Sequence, residues 1–237
     1  MLHQTFPVER NLPETEAESG LRALYPHPEG ALRLGMIATA GGEATGVDGT
    51  SRSLNGTDDV RVLRVLRAAA DVILVGATTA RHENYGPIAV RDSLAATRVP
   101  EQRRAPVLAV ASFTGDLPAG LGPDTCLLVT TAEAPAIELA RDWGDSLVVA
   151  GRDAILPRLL VAVLAERGFT RVLCEGGPAL ARLLLEHGVV SDYCLTESPL
   201  PGDPSGPLVP PVPEGFTLSH TLESEGFTMR RWGNPRG

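Results

Sequence analysis

Short aliphatic runs alternate with helical patterns through the middle of this chain, and that alternation admits few architectures. The runs DVILVGATT (71–79), APVLAVAS (105–112), CLLVTT (126–131), SLVVAG (146–151) and RVLCEG (171–176) are short, apolar and end in small or polar residues. Strands buried on both faces read this way. Helical spacing occupies stretches near 133–142, 153–167 and 178–187. A strand at LRLGMIATA (32–40) comes first, followed after a loop by a helix over 58–70. That helix repeats Val62, Leu63, Val65, Leu66 and Ala69 at helical spacing, with Thr57 or Asp58 as its expected cap. The pattern predicts an α/β domain with a mostly parallel sheet.

Beyond residue 190 the helical period stops. SDYCLTESPL (191–200) and FTLSHTLESEGFTMRRW (216–232) read as strands, the latter as an antiparallel C-terminal hairpin turning at Glu225–Gly226. A proline-rich connection, 198–215, separates them. Residues 1–31 read as a proline-dotted leader ahead of a single domain over 32–237.

At 43% hydrophobic and only 4% aromatic, the 237 residues predict an aliphatic core. The net charge is −8 at pH 7, and all 21 basic residues are arginine. That balance argues against nucleic acid as a partner. No apolar run suggests a membrane span, and the polar start does not resemble a signal peptide, so a cytoplasmic protein is expected. Cys126, Cys174 and Cys194 lie far apart, and His3, His27, His82, His187 and His220 show no ligand spacing, so no metal is expected.

Four places carry chemistry. In Glu175-Gly176-Gly177-Pro178-Ala179-Leu180 a strand turns into a helix. Glycines admit a phosphate to the backbone, proline suits a first helical turn, and a helix N-terminus favours an anion. Glu175 would repel phosphate and fits an acceptor for an N–H- or O–H-bearing second ligand. On pattern alone the segment is equally a glycine-rich turn with a carboxylate beside it. A second junction, Gly76-Ala77-Thr78-Thr79, has the same form, with Arg81 and Glu83 following. A third, GVDGTSRSLNG, places Ser51 and Ser53 on one side of an extended segment, or in a solvated loop. Fourth, Arg61, Arg64 and Arg67 recur along one helix face. No GxSxG elbow is present, and no GxGxxG follows the first strand.

In order along the chain, LRAAADVILVGATTARHENYGP, APVLAVAS and RVLCEGGPALARLLLEHGVVSDYCLTESPL resemble the riboflavin-biosynthesis reductase domain. This is the RibD C-terminal family, and the likeness is to its stand-alone actinobacterial pyrimidine reductase branch. The resemblance spans roughly residues 30–232. It implies a dihydrofolate-reductase-like three-layer fold, a homodimer, and an NADPH-dependent reductase. The reaction implied is hydride transfer to C1 of the ribosyl group of 5-amino-6-(5-phosphoribosylamino)uracil, a small phosphorylated substrate. It also implies substrate contacts at Ser51, Arg67 and Glu175, with Glu175 the catalytic-site carboxylate and Arg67 the phosphate partner. Cofactor contacts are implied at Ile37, Thr39, Ser53, Thr79, Glu83, Ser112, Gly176, Gly177, Pro178, Ala179 and Leu180. Arg81, Arg91 and Arg152 are candidates for the cofactor 2′-phosphate.

The sequence departs from the family at one point. Where relatives read Ser-Leu-Asp-Gly after the first strand, this chain has Thr39-Ala40-Gly41-Gly42, with Asp48 a few residues on. Gly41 in place of that aspartate keeps two alternatives open: a related NADPH reductase with another substrate, and a non-catalytic NADPH-binding protein. An interaction module without cofactor is a further alternative.

Overall fold

The aliphatic runs become neighbouring strands of one sheet. The computed structural model describes residues 1–235. Its strands are β1 (Leu2–Phe6), β2 (Arg10–Leu12), β3 (Leu32–Thr39), β4 (Val72–Gly76), β5 (Val107–Ala111), β6 (Cys126–Thr130), β7 (Leu147–Val149), β8 (Val172–Cys174), β9 (Asp192–Ser198), β10 (Thr217–Ser224) and β11 (Phe227–Gly233). Its helices are α1 (Ser19–Leu24), α2 (Thr57–Ala69), α3 (Ala77–His82), α4 (Asp92–Ala95), α5 (Ala136–Leu139), α6 (Pro157–Glu166) and α7 (Pro178–Glu186). The sheet order is β2-β1-β10-β11-β9-β3-β8-β4-β5-β6-β7. From β9 to β7 every pairing is parallel, and the other pairings are antiparallel.

Residues of opposite parity on the central strands feed two cores. Ile73 and Val75 join Val62, Val65 and Leu66 of α2 on one face. Val72 and Leu74 join Leu160 and Leu164 of α6 and Leu180 and Leu184 of α7 on the other. The result is an α/β protein of three layers, because each central strand has two apolar faces to cover. The C-terminal hairpin turns at Glu225 (φ 51°) and Gly226 (φ 85°), with Ser224 paired to Phe227. Two positive φ values are what a tight two-residue hairpin loop requires.

Residues 1–31 contribute strands to the sheet: β1 pairs with β10 through His3–Glu223 and Gln4–Leu222, and β2 covers β1. Leu2 and Gln4 are buried while His3 and Thr5 are half-exposed, a two-residue alternation too brief to stand out among prolines. Two expectations need correction. The cap of α2 is Gly56, whereas Thr57, Asp58 and Asp59 lie inside the first turn. The expected helix over 133–142 reduces to α5 and a 3₁₀ segment, Arg141–Ser146, broken at Gly144. No helix among the described residues is long and apolar enough to cross a membrane.

Candidate active site

A cleft of about 1730 Å³ opens where β3, β4, β5 and β8 end, with α2 along one side. This is where ligands enter an open parallel sheet. Leu34 of β3 lies level with Cys174 of β8, and Ile37 of β3 level with Thr196 of β9. These registers fix the depth of the groups described next.

The β8–α7 junction is built from backbone. Gly176 has φ +90°, which favours glycine, and its carbonyl accepts the Gly76 N–H at 2.8 Å. The Gly176–Gly177 peptide is cis. Gly177 is the N-cap of α7, Pro178 occupies the first turn, and no side chain caps the helix. A Cβ at Gly177 would run into Thr79 Oγ1. The turn therefore leaves the start of α7 without a side-chain cap and packs the Thr79 hydroxyl directly against Gly177. Gly177, Pro178, Ala179, Leu180, Thr79, Ser112 and Ile37 line the cleft there.

On the α2 side, the Glu175 carboxylate receives both Nε and Nη2 of Arg67, each at 2.7 Å. Tyr85 O–H donates to the same carboxylate at 2.7 Å. The Glu175 side chain is 5% exposed and that of Arg67 28%. Burial opposes the arginine charge, yet its bond to Glu175 holds the guanidinium pKa above its ordinary value. Burial, then the Glu175 charge, pushes the Tyr85 phenol well up. All three side chains line the cleft. Arg67 spends two of its three nitrogens on Glu175, so its guanidinium is not a free phosphate clamp. A substrate at this point meets a carboxylate already oriented by two donors.

Ser51 also lines the cleft, held by its own N–H on Glu83 Oε1 at 2.6 Å. Glu83 is buried and takes Arg52 as well, through its carbonyl and an ion pair at 3.7 Å. Its carboxylate thus ties the Ser51 loop to the end of α3, although Glu83 borders the same space. Ser112 Oγ accepts the Gly115 N–H at 3.0 Å, which fixes the strand-end loop.

Four expected residues fall outside the lining. Thr39 Oγ1 bonds Glu43, and Ser53 Oγ donates to Asp48 at 2.6 Å, so both hydroxyls serve their own loop. Gly176 shapes the turn from behind the lining. Arg152 is exposed and pairs with Glu133, whereas Arg81 and Arg91 do border the cleft. At the position of the family aspartate, a Cβ on Gly41 would lie 2.6 and 2.7 Å from the carboxylate oxygens of Glu43. Glu43 thus fills the space of a residue 41 side chain, but neither residue lines the cleft. Asp48 faces Thr50 and Ser53 instead.

Sequence reasoning missed Tyr85 and Asp59. Tyr85 stands out only as a rare aromatic in HENYGP. Asp59 lies eight residues before Arg67, so both fall on one helical face, among the apolar positions of α2.

Comparisons with known proteins follow this geometry. The chain is similar to a pyrimidine reductase-like protein of Corynebacterium diphtheriae, with 26% identity, 87% of this chain and 92% of that one covered, and a TM-score of 0.73. In fold it resembles a riboflavin biosynthesis reductase of Saccharomyces cerevisiae, at 17% identity, 86% and 90% coverage and a TM-score of 0.61. It also shares the fold of a bifunctional deaminase/5-amino-6-(5-phosphoribosylamino)uracil reductase of Thermotoga maritima, at 17% identity and a TM-score of 0.61, covering 87% of this chain and 57% of that one. No curated protein matches the sequence. The RibD C-terminal domain matches residues 31–210, and the chain belongs to that family.

Proposed function

We propose that the protein is an NADPH-dependent reductase of the 5-amino-6-(5-phosphoribosylamino)uracil type, acting at C1 of the ribosyl group. One observation carries the reading: a glycine-lined helix N-terminus and an oriented Arg67–Glu175–Tyr85 group face the same cleft. The uncapped α7 start, the bare Gly177 and Thr79 suit a dinucleotide phosphate. Ile37 and Ser112 border the remainder of that ligand's space. Bound there, NADPH would supply a hydride.

The chain's own groups then position the acceptor. Glu175 accepts an N–H or O–H of the substrate, with Arg67 and Tyr85 keeping its carboxylate in one orientation. Such fixed geometry contributes much of a hydride-transfer rate. Arg91 is exposed on the cleft wall, with a single ion-pair contact among the described residues, to Glu14 at 4.0 Å, and suits the sugar phosphate better than Arg67 does. A homodimer and a cytoplasmic location belong to the same proposal. The glycine at 41, with Glu43 packed over it, favours a second reading in which the ring of the substrate differs.

Titration with NADPH and NADH, followed by addition of the pyrimidine, tests the proposal. Tighter NADPH binding and its consumption are expected. Binding without consumption would favour the second reading, and absence of binding would overturn the cofactor assignment.

A further inference from the structure

The cleft contains a second buried carboxyl that the proposed function does not use. Asp59 is 7% exposed, lines the cleft from α2, and accepts Thr196 Oγ1 on Oδ1 at 2.7 Å. Its Oδ2 has no hydrogen-bond partner among the described residues. Because Thr196 is level with Ile37 while Glu175 follows Cys174, level with Leu34, the two carboxylates flank β3 from opposite sides. Asp59 and Arg67 are two helical turns apart on the same face of α2.

The surroundings of Asp59 are unusually free of compensating charge. From β9 Thr196 bonds it, and the cleft around it is lined by the buried thiol Cys194 of β9 and by Met229 and Arg230 of β11, the latter paired with Glu197 at 3.6 Å. Tyr25, after α1, presents a buried phenol. On its own helix, Asp58 is engaged by Arg61 and Ser224. No cation pairs with Asp59 among the described residues. Burial therefore pushes its pKa up to about 6, against a smaller opposing effect of the Thr196 bond.

Resting on the reductase reading, we propose that Asp59 is the acid that protonates the substrate during reduction, taking up the work of a carboxylate that position 41 does not supply. A hydride leaves the dihydronicotinamide and forms the new C–H bond at C1 of the open-chain imine. The C=N π pair moves to nitrogen, and Asp59 Oδ2–H gives that nitrogen its proton. The dinucleotide is oxidised, the sugar carbon is reduced by two electrons, and Asp59 regains a proton from water. Thr196, by donating to Oδ1, leaves Oδ2 as the oxygen that carries the proton.

Single-turnover reduction of 5-amino-6-(5-phosphoribosylamino)uracil by NADPH-loaded protein, from about pH 5 to about pH 8.5, tests this. The wild-type rate should be level below about pH 6 and fall roughly tenfold per pH unit above it. Asp59→Asn should bind NADPH normally, react about 100-fold more slowly, and lose that pH dependence. Thr196→Val removes a bond that favours the ionised form, so the fall should move to higher pH with the low-pH rate kept. Asp59→Asn reacting within about threefold of wild type, or more slowly with the wild-type pH profile, would overturn the inference alone. Failure of the wild type to bind NADPH or to reduce the substrate would overturn the reductase reading, and this inference with it.

Discussion

Among the arginine–carboxylate pairs of the described residues, two begin alike and end differently. At the start of the parallel β3–β9 ladder, Arg33 meets Asp192 at 2.6 and 3.1 Å and gives its remaining donors to the carbonyls of Tyr25 and Pro26. Arg231 adds a second cation at 3.3 Å, and the Arg33 side chain is 0% exposed. At the cleft mouth, Arg67 meets Glu175 at 2.7 Å twice, but its third nitrogen has no partner among the described residues and faces the cleft. The first pair is saturated by protein and can only hold strands together. The second leaves hydrogen-bonding capacity for a ligand. Closure of the hydrogen-bond shell, rather than the ion pair itself, separates a structural pair from a working one.

The largest expected effect falls around the saturated pair. His27 and His220 lie beside Arg33 and Arg231, are buried, and each leaves a ring nitrogen unpartnered. Burial first, then the arginine charges, pulls their pKa values down to about 3 and about 4. Both bind fewer protons folded than unfolded below about pH 6.5, so their contribution is present above that pH and is lost as the pH falls towards 4. The loss is on the order of 3 kcal/mol for each histidine, read as the urea midpoint from pH 7 to about pH 4. His220→Gln should flatten that slope. An unchanged slope would break the account of the saturated pair.

Next, Asp192→Ala strands two buried guanidinium groups and should cost about 3–5 kcal/mol by urea unfolding. Glu175→Gln should show the opposite balance: kcat/KM lower by about 10²-fold, ~2.7 kcal/mol, with stability changed by only about 1 kcal/mol. Equal stability losses in the two variants would erase the distinction between the pairs. The smallest effect is expected for Gly177→Ala. Its Cβ collides with Thr79 Oγ1, so NADPH Kd should rise about tenfold, ~1.4 kcal/mol, with the urea midpoint little moved.

The same contrast explains what could be read before the fold was known. The parallel strands were legible because burial on both faces writes unbroken apolar runs such as Val72–Val75. β1 was not, because Gln4 is a polar residue buried by its bond to the Phe6 carbonyl and by Arg10, which hides the alternation. In the cleft, Glu175 and Gly177 were legible because glycine and proline punctuate a strand–helix turn. Thr39 and Ser53 spend their hydroxyls on Glu43 and Asp48, because loop hydroxyls bond nearby carboxylates as readily as ligands, and sequence does not show which. Asp59 looks in sequence like an ordinary acid in a first helical turn, and only the packing of β9 against α2 buries it. Tyr85 reaches Glu175 across 90 residues of chain, a contact no local pattern announces.

The central claim is that the glycine-lined turn and the open Arg67–Glu175 pair serve one hydride transfer. NADPH carrying deuterium at C4 of the reduced ring, incubated with the protein and 5-amino-6-(5-phosphoribosylamino)uracil, tests it directly. The account predicts one deuterium at C1 of the ribityl product, and loss of that labelled product in Glu175→Gln. Product without label, or no product from a protein that binds NADPH, would contradict it.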